Sequence, residues 1–196
     1  GLLNADPKLF DNTIQLNKIS YKEAIELSYL GASVIHPKTI KPLQNKEIPL
    51  TIRSFKNMES DGSTIHINGE NDSDVPSYIF KPNQILLSIS TKDYSFIFED
   101  HLSDLFHLFS ENGLKVHLMQ NSALSFSICG HIKHPLVPKL IKALSKKYLV
   151  KYNEKVDLLT VRHYQKFDLP NLVANQEILI QQRSRSTIRY VLRKSN

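Results

Sequence analysis

Histidine and cysteine are the side chains in this chain best suited to metal or nucleophilic chemistry, and their placement argues against both. The eight histidines (His36, His66, His101, His107, His117, His131, His134 and His163) are scattered. Only His131-x-x-His134 is spaced like a ligand pair, and it lies beside Pro135 in a loop. Cys129 is the one cysteine, which allows neither an internal disulfide nor a multi-cysteine metal site. It falls in an apolar alternating run, where a thiol packs as a small hydrophobe. Phosphoryl transfer needs glycine-rich backbone around the phosphates, a cation on the transferred group and a held Mg²⁺. The chain has six glycines in 196 residues and no such loop can be read from it. Arg162, Arg183, Arg185, Arg189 and Arg193, near Tyr164 and Tyr190, form a basic end. Sheet-face RNA binders carry their aromatics on central strands, however, and these are peripheral. A net charge of +6, from 25 Lys and Arg against 19 Asp and Glu, fits a solvated basic surface. No nucleic-acid partner is expected.

The elements that would position any site follow from hydrophobic spacing. Ser20 before Tyr21-Lys-Glu23 has the capping-box pattern, in which the hydroxyl and the Glu23 carboxylate each take an orphan N–H of the helix start. Ala24, Leu27, Tyr29 and Leu30 give that helix an apolar face, and Gly31 ends it in a left-handed turn. Ser33-Val-Ile predicts a short strand closed by His36-Pro37. Thr39 to Asn45 makes a helical turn, Ile48 to Phe55 a strand, and Thr64 to Ile67 a short strand. Residues 56–77 are otherwise polar and turn-rich, which places a domain boundary near residue 75.

Beyond it, strands and helices alternate. Gln84 to Ser90 predicts a strand, Asp100 to Glu111 a helix with Leu102, Leu105, Phe106, Leu108 and Phe109 apolar, and Lys115 to Met119 a strand. Leu124 to Cys129 is a third strand, Leu136 to Lys147 a second helix and Leu149 to Tyr152 a fourth strand. This βαββαβ order is the ferredoxin-like split βαβ. Asp157 to His163, a helical candidate at Leu169 to Asn175, and a hairpin of Glu177 to Gln181 with Thr187 to Leu192 repeat its first half only. Such a half-sheet must find cover from the first copy or from a second subunit. The expected domains are 1–75, 76–156 and 157–196, in an α+β fold. No apolar run is long enough to span a membrane and the start is unlike a signal peptide, so a soluble, cytoplasmic protein without a membrane partner is expected.

Three blocks together resemble aspartate kinase. Asp6-Pro7-Lys8 is similar to the family's Asp-Pro-Arg nucleotide loop. Residues 19–40, with Gly31-Ala-Ser-Val-Ile-His-Pro-Lys-Thr39, resemble its Gly-Ala-Lys-Val-Leu-His-Pro-Arg-Thr motif. Residues 84–192 resemble its paired ACT regulatory domains. The resemblance implies the C-terminal piece of an α/β amino-acid kinase domain followed by ferredoxin-like ACT domains. It also implies a parent enzyme that phosphorylates the β-carboxylate of aspartate with MgATP, the first step toward lysine, threonine and methionine.

The same resemblance marks Asp6, Lys8, Ser33 and Val34 as what remains of the nucleotide side, with Ser33 where the family carries a lysine. The family's Lys-Phe-Gly-Gly-Thr-Ser and Gly-Arg-Gly-Gly-Ser-Asp motifs are missing. The expectation is therefore a fragment that is inactive alone, with no catalytic residue, metal or cofactor of its own. For the regulatory half it implies an amino-acid effector, threonine or lysine, bound at an ACT interface by Asp93, Tyr94, Ser95, His117, Gln120, Asn121 and Ser122, with homodimerisation through the ACT domains. His117 and Ala123 replace the Asp and Glu of lysine-sensing relatives, which favours a neutral or threonine-like effector, or none, and the family's glycine is missing from the Thr91–Glu99 loop.

Overall fold

A computed structural model describes residues 1–32, 35–57, 59–70, 72–166 and 173–194. Two compact units result. One is Gly1–Phe80 with Leu159–Ala174 and Ile180–Tyr190, and the other is Lys81–Leu158 with Asn175–Leu179 and Val191–Asn196.

The first unit opens with β1 (Leu2–Leu3) and β2 (Gln15–Leu16), an antiparallel pair. Then come β3 (Lys18–Ser20), α1 (Tyr21–Leu30), α2 (Pro37–Asn45), β4 (Leu50–Ile52) and β5 (Ser63–His66). In a three-stranded sheet β5 lies centrally, parallel to β3 and antiparallel to β4. The core gathers Leu2, Leu16, Ile19, Tyr21, Ala24, Leu27, Leu30, Ile40, Ile65 and Ile79. Gly31 ends α1 at φ 110°, and its N–H and that of Ala32 close back on Leu27 O, as a left-handed cap requires.

Two local expectations are corrected here. Tyr29 is 74% exposed, and Tyr21 supplies the buried aromatic instead, its hydroxyl donating to Ile48 O. Of the strand expected at 33–36, Ser33 and Val34 lie outside the described residues. Ile35 and His36 are in no strand, because the His36 ring nitrogen caps α2 by accepting from Lys38 N at 3.2 Å.

In the second unit, β6 (Ser77–Thr91) enters from the first and leads to α3 (Glu99–Glu111), β7 (Lys115–Asn121), β8 (Ser125–His131), α4 (Val137–Ser145) and β9 (Tyr148–Arg162). Strand order β9-β6-β8-β7, with β8 antiparallel to both neighbours, is that of the ferredoxin-like fold. The core packs Ile85, Leu87, Ile89, Phe126 and Ile128 against Leu105 and Phe109 of α3 and Leu140 and Leu144 of α4. Cys129 is fully buried, as its apolar setting implied. The strands expected at Leu149–Tyr152 and Asp157–His163 are one continuous β9, since no glycine or proline interrupts them.

The hairpin of β10 (Gln176–Arg183) and β11 (Thr187–Lys194) extends the order to β10-β11-β9-β6. The partial second copy is thus closed by β6, which stands beside β9 where a fourth strand would. Most of the helical candidate at 169–175 lies outside the described residues. Among the described residues no helix is long and apolar enough to cross a membrane.

Candidate functional site

The β6–α3 connection is built from short polar side chains that hydrogen-bond their own backbone. Asp93 Oδ1 accepts from Ser95 N at 3.1 Å and from Ser95 Oγ at 2.7 Å, while Thr91 Oγ1 donates to Ser95 O at 2.7 Å. Hydrogen bonds from Ser95 hold the Asp93 carboxyl below the usual carboxylate range. The turn needs a left-handed residue at its tip. With no glycine in the loop, Tyr94 takes φ 59° and stands 79% exposed.

Beside this turn lies a cleft of about 550 Å³ lined by Thr91, Lys92, Asp93, Ser95, Asp100, His101, Asp104, Lys147 and Tyr148. Lys147 Nζ donates to both Asp104 oxygens, at 3.0 and 3.1 Å, and the Tyr148 hydroxyl donates to Asp104 Oδ2 at 2.9 Å. The Lys147 bond outweighs burial and lowers the Asp104 pKa. Burial, then the Asp104 carboxylate, pushes the Tyr148 hydroxyl up to about 12. His101 stacks edge-on against Tyr148, and Lys92 Nζ donates to Lys146 O at 3.0 Å. Carboxylates and ammonium groups thus interleave on one wall, a pattern suited to a zwitterion and not to phosphate. Glu99 and Asp100 already offset the positive end of α3.

The other expected wall is only partly joined to this cleft. Ile97 N donates to Ala123 O at 3.0 Å, tying the β6–α3 connection to the β7–β8 turn. Ser122 is consumed by that turn, its Oγ accepting from Ser125 N at 3.1 Å and lying 2.8 Å from Ser125 Oγ. Gln120 and Asn121 are exposed at the end of β7. His117 sits at an irregularity in the β7–β8 register, its Nδ1 3.2 Å from Lys81 Nζ. Asp93 and Ser95 therefore line the cleft, whereas Tyr94, His117, Gln120, Asn121 and Ser122 are not among its lining residues. Thr91, Lys92, Asp100, His101, Asp104, Lys147 and Tyr148 line it without having been among the expected effector residues. Asp104 lies on the polar side of an amphipathic helix, and the signal that could have raised it was the Lys147-Tyr148 pair at the junction between the next helix and β9.

On the nucleotide side, Asp6 Oδ1 accepts from Lys8 N at 2.9 Å and Asp6 O from Leu9 and Phe10, so the carboxylate serves its own turn. Asp6 and Pro7 border a cleft of about 370 Å³ with Leu27, Gly31 and Ala32. Ser33 and Val34 are outside the described residues.

A second cluster was invisible to local pattern. The Glu23 carboxylate, expected to cap α1, turns instead to Arg162, whose Nε and Nη2 reach Oε1 and Oε2 at 2.8 and 2.6 Å. His163 Nε2 stands 3.2 Å from Oε1. Burial pushes the Glu23 carboxyl up, but the His163 and Arg162 contacts outweigh it and hold it below the usual range. Three other arginines of the basic end are also engaged. Arg193 pairs with Glu177, Arg183 bonds and stacks on Tyr164, and Arg189 reaches Thr160.

Comparison with known proteins agrees with both halves. The model of the amino acid kinase family matches residues 1–54. A bifunctional aspartokinase/homoserine dehydrogenase of Haemophilus influenzae is 33% identical over 144 residues, 72% of this chain and 18% of that protein. One from Zea mays is 30% identical over 134 residues, 66% of this chain and 14% of the relative. The chain is an aspartokinase homologue. It spans less than a fifth of those two relatives. Its fold matches that of the aspartate kinase of Clostridium acetobutylicum at a TM-score of 0.81 with 21% identity, covering 98% of this chain and 48% of that one. It also matches Escherichia coli aspartokinase III in complex with lysine and aspartate, at 0.75 with 19% identity over 97% of this chain and 45% of that one. An amino-acid kinase segment followed by ferredoxin-like, ACT-type structure is thus the architecture of this aspartokinase homologue.

Proposed function

We propose that this chain is the regulatory C-terminal region of an aspartate kinase. In this reading it binds a free amino acid, pairs with a second copy through its ACT-type sheet and transfers no phosphoryl group by itself. The parent enzyme would convert ATP and L-aspartate to 4-phospho-L-aspartate in the cytoplasm, with MgATP bound elsewhere. The described residues include no glycine-rich phosphate cradle, and the Asp6 carboxylate is spent on its own turn, so no step through MgATP is assigned to this chain.

The observation that carries the reading is the cleft at the β6–α3 connection. Its alternating Asp93, Asp100, Asp104, Lys92 and Lys147 match the ammonium and carboxylate of an α-amino acid, the chemistry by which a pathway product would act on its first enzyme. The likeness to lysine-sensing relatives, with His117 and Ala123 in place of their Asp and Glu, is the reason to test a neutral, threonine-like amino acid beside lysine; neither residue lines this cleft. Thermal melts with L-threonine, L-lysine and L-methionine test this. One amino acid should raise Tm in a concentration-dependent way. Silence from all three, with a stable dimer, would leave an assembly module only, and formation of aspartyl phosphate by this chain would overturn the regulatory assignment.

A further inference from the structure

The Ser20 N–H is held by Asp72, although the local spacing encodes Glu23 as its partner. The spacing Ser20-x-x-Glu23 encodes a capping box, and half of it is present, since Ser20 Oγ accepts from Glu23 N at 3.0 Å. The other half has changed hands. Asp72, in the turn after β5, accepts from Ser20 N at 2.7 Å and from Ser20 Oγ at 2.5 Å. Glu23, three residues away and 3% exposed, is held by the Arg162 fork at the end of β9. The end of β9 is itself constrained. His163 sits in the left-handed region at φ 56°, anchored by its N–H to Ser186 O, with its ring against Glu23. A non-glycine residue keeps such a conformation only where its surroundings over-determine it.

We propose that Glu23 and Asp72 form a carboxylate exchange switch on the Ser20 N–H, set by Arg162. With Arg162 engaged, Glu23 is drawn away and Asp72 caps α1. With Arg162 withdrawn, Glu23 falls back into the box its spacing encodes, and Asp72 and its turn are released. The buried carboxylate then has a second satisfied position, which an ordinary ion pair lacks. Both states leave the helix capped, so what changes is the hold on the turn that leads into β6. The switch requires no particular effector and stands apart from the amino-acid-binding reading.

Hydrogen exchange at the Ser20 amide in four proteins tests it: wild type, Asp72→Ala, Arg162→Met and the double variant. Asp72→Ala alone should speed exchange about tenfold or more, the loss of one charge-assisted hydrogen bond. In the Arg162→Met background the same change should speed it less than about threefold, because Glu23 has taken over. Arg162→Met alone should leave Ser20 protected while amides beside Asp72 exchange faster. Equal acceleration in both backgrounds, or deprotection of Ser20 by Arg162→Met alone, would overturn the switch. Should Arg162→Met not fold, Arg162→Gln, which removes the charge and the fork but keeps a polar end, carries the same comparison.

Discussion

Replacing Glu23 by Gln removes the most buried charge of the first unit and leaves its partner behind. The Glu23 and Arg162 side chains are 4% and 12% exposed, and deleting one partner of such a pair costs ~3–5 kcal/mol because the other charge stays desolvated. Glu26, 3.6 Å from Arg162 and 45% exposed, remains as a partial substitute, so the lower end, about 3 kcal/mol or two orders of magnitude in local opening, is expected at pH 7. Exchange of α1 amides in low urea is the suitable assay, since a chain of two compact units has no single unfolding free energy. The pH dependence has a definite sign. The Glu23 carboxyl is lowered in the folded state, so its contribution is fully present above the unfolded value of about 4.3 and is lost as pH falls through the lower folded value. The gap between wild type and Glu23→Gln should therefore shrink on acidification. A gap below about 1 kcal/mol at neutral pH, or one that widens in acid, would refute the clamp.

Other outcomes follow from the same geometry. In an ultraviolet titration Tyr148 should ionise near 12, and Asp104→Asn should bring it down by removing the carboxylate beside it while leaving the burial. Gly62 has φ 71° and an added Cβ would run into the Ile52 carbonyl oxygen, so Gly62→Ala should destabilise the β4–β5 sheet by about 2 kcal/mol or more in exchange measurements there. Phe109→Ala, at a core position 1% exposed, should cost about 3–5 kcal/mol in the second unit.

The ferredoxin-like unit was legible because it is local. Each strand and helix carries its own period, and a proline- and glycine-poor run like 148–162 fails only in where one strand is split from the next. The α1 boundaries were legible for the same reason, through Ser20 and Gly31. What the sequence could not disclose were contacts made across the chain. Glu23 looked like a cap because local spacing favours one, and Arg162, 139 positions on, outbids that arrangement by offering a fork and a full charge in a buried setting. Tyr29 looked apolar on spacing, yet Tyr21 fills the core because its hydroxyl finds Ile48 O. At the cleft, Asp93 and Ser95 were found through the loop that contains them. Asp104, Lys147 and Tyr148 meet only after α3 and α4 pack side by side, whereas the likeness to aspartate kinase pointed to the β6–α3 loop and to the end of β7, segments that are each contiguous in sequence.

Calorimetric titration of the chain and of its Asp104→Asn variant with L-threonine and L-lysine tests the regulatory assignment most directly. Saturable heat with one of them, weakened at least about tenfold by loss of the Asp104 carboxylate, is the predicted result. A folded chain that gives no heat with either amino acid, or binding that Asp104→Asn leaves unchanged, would contradict it.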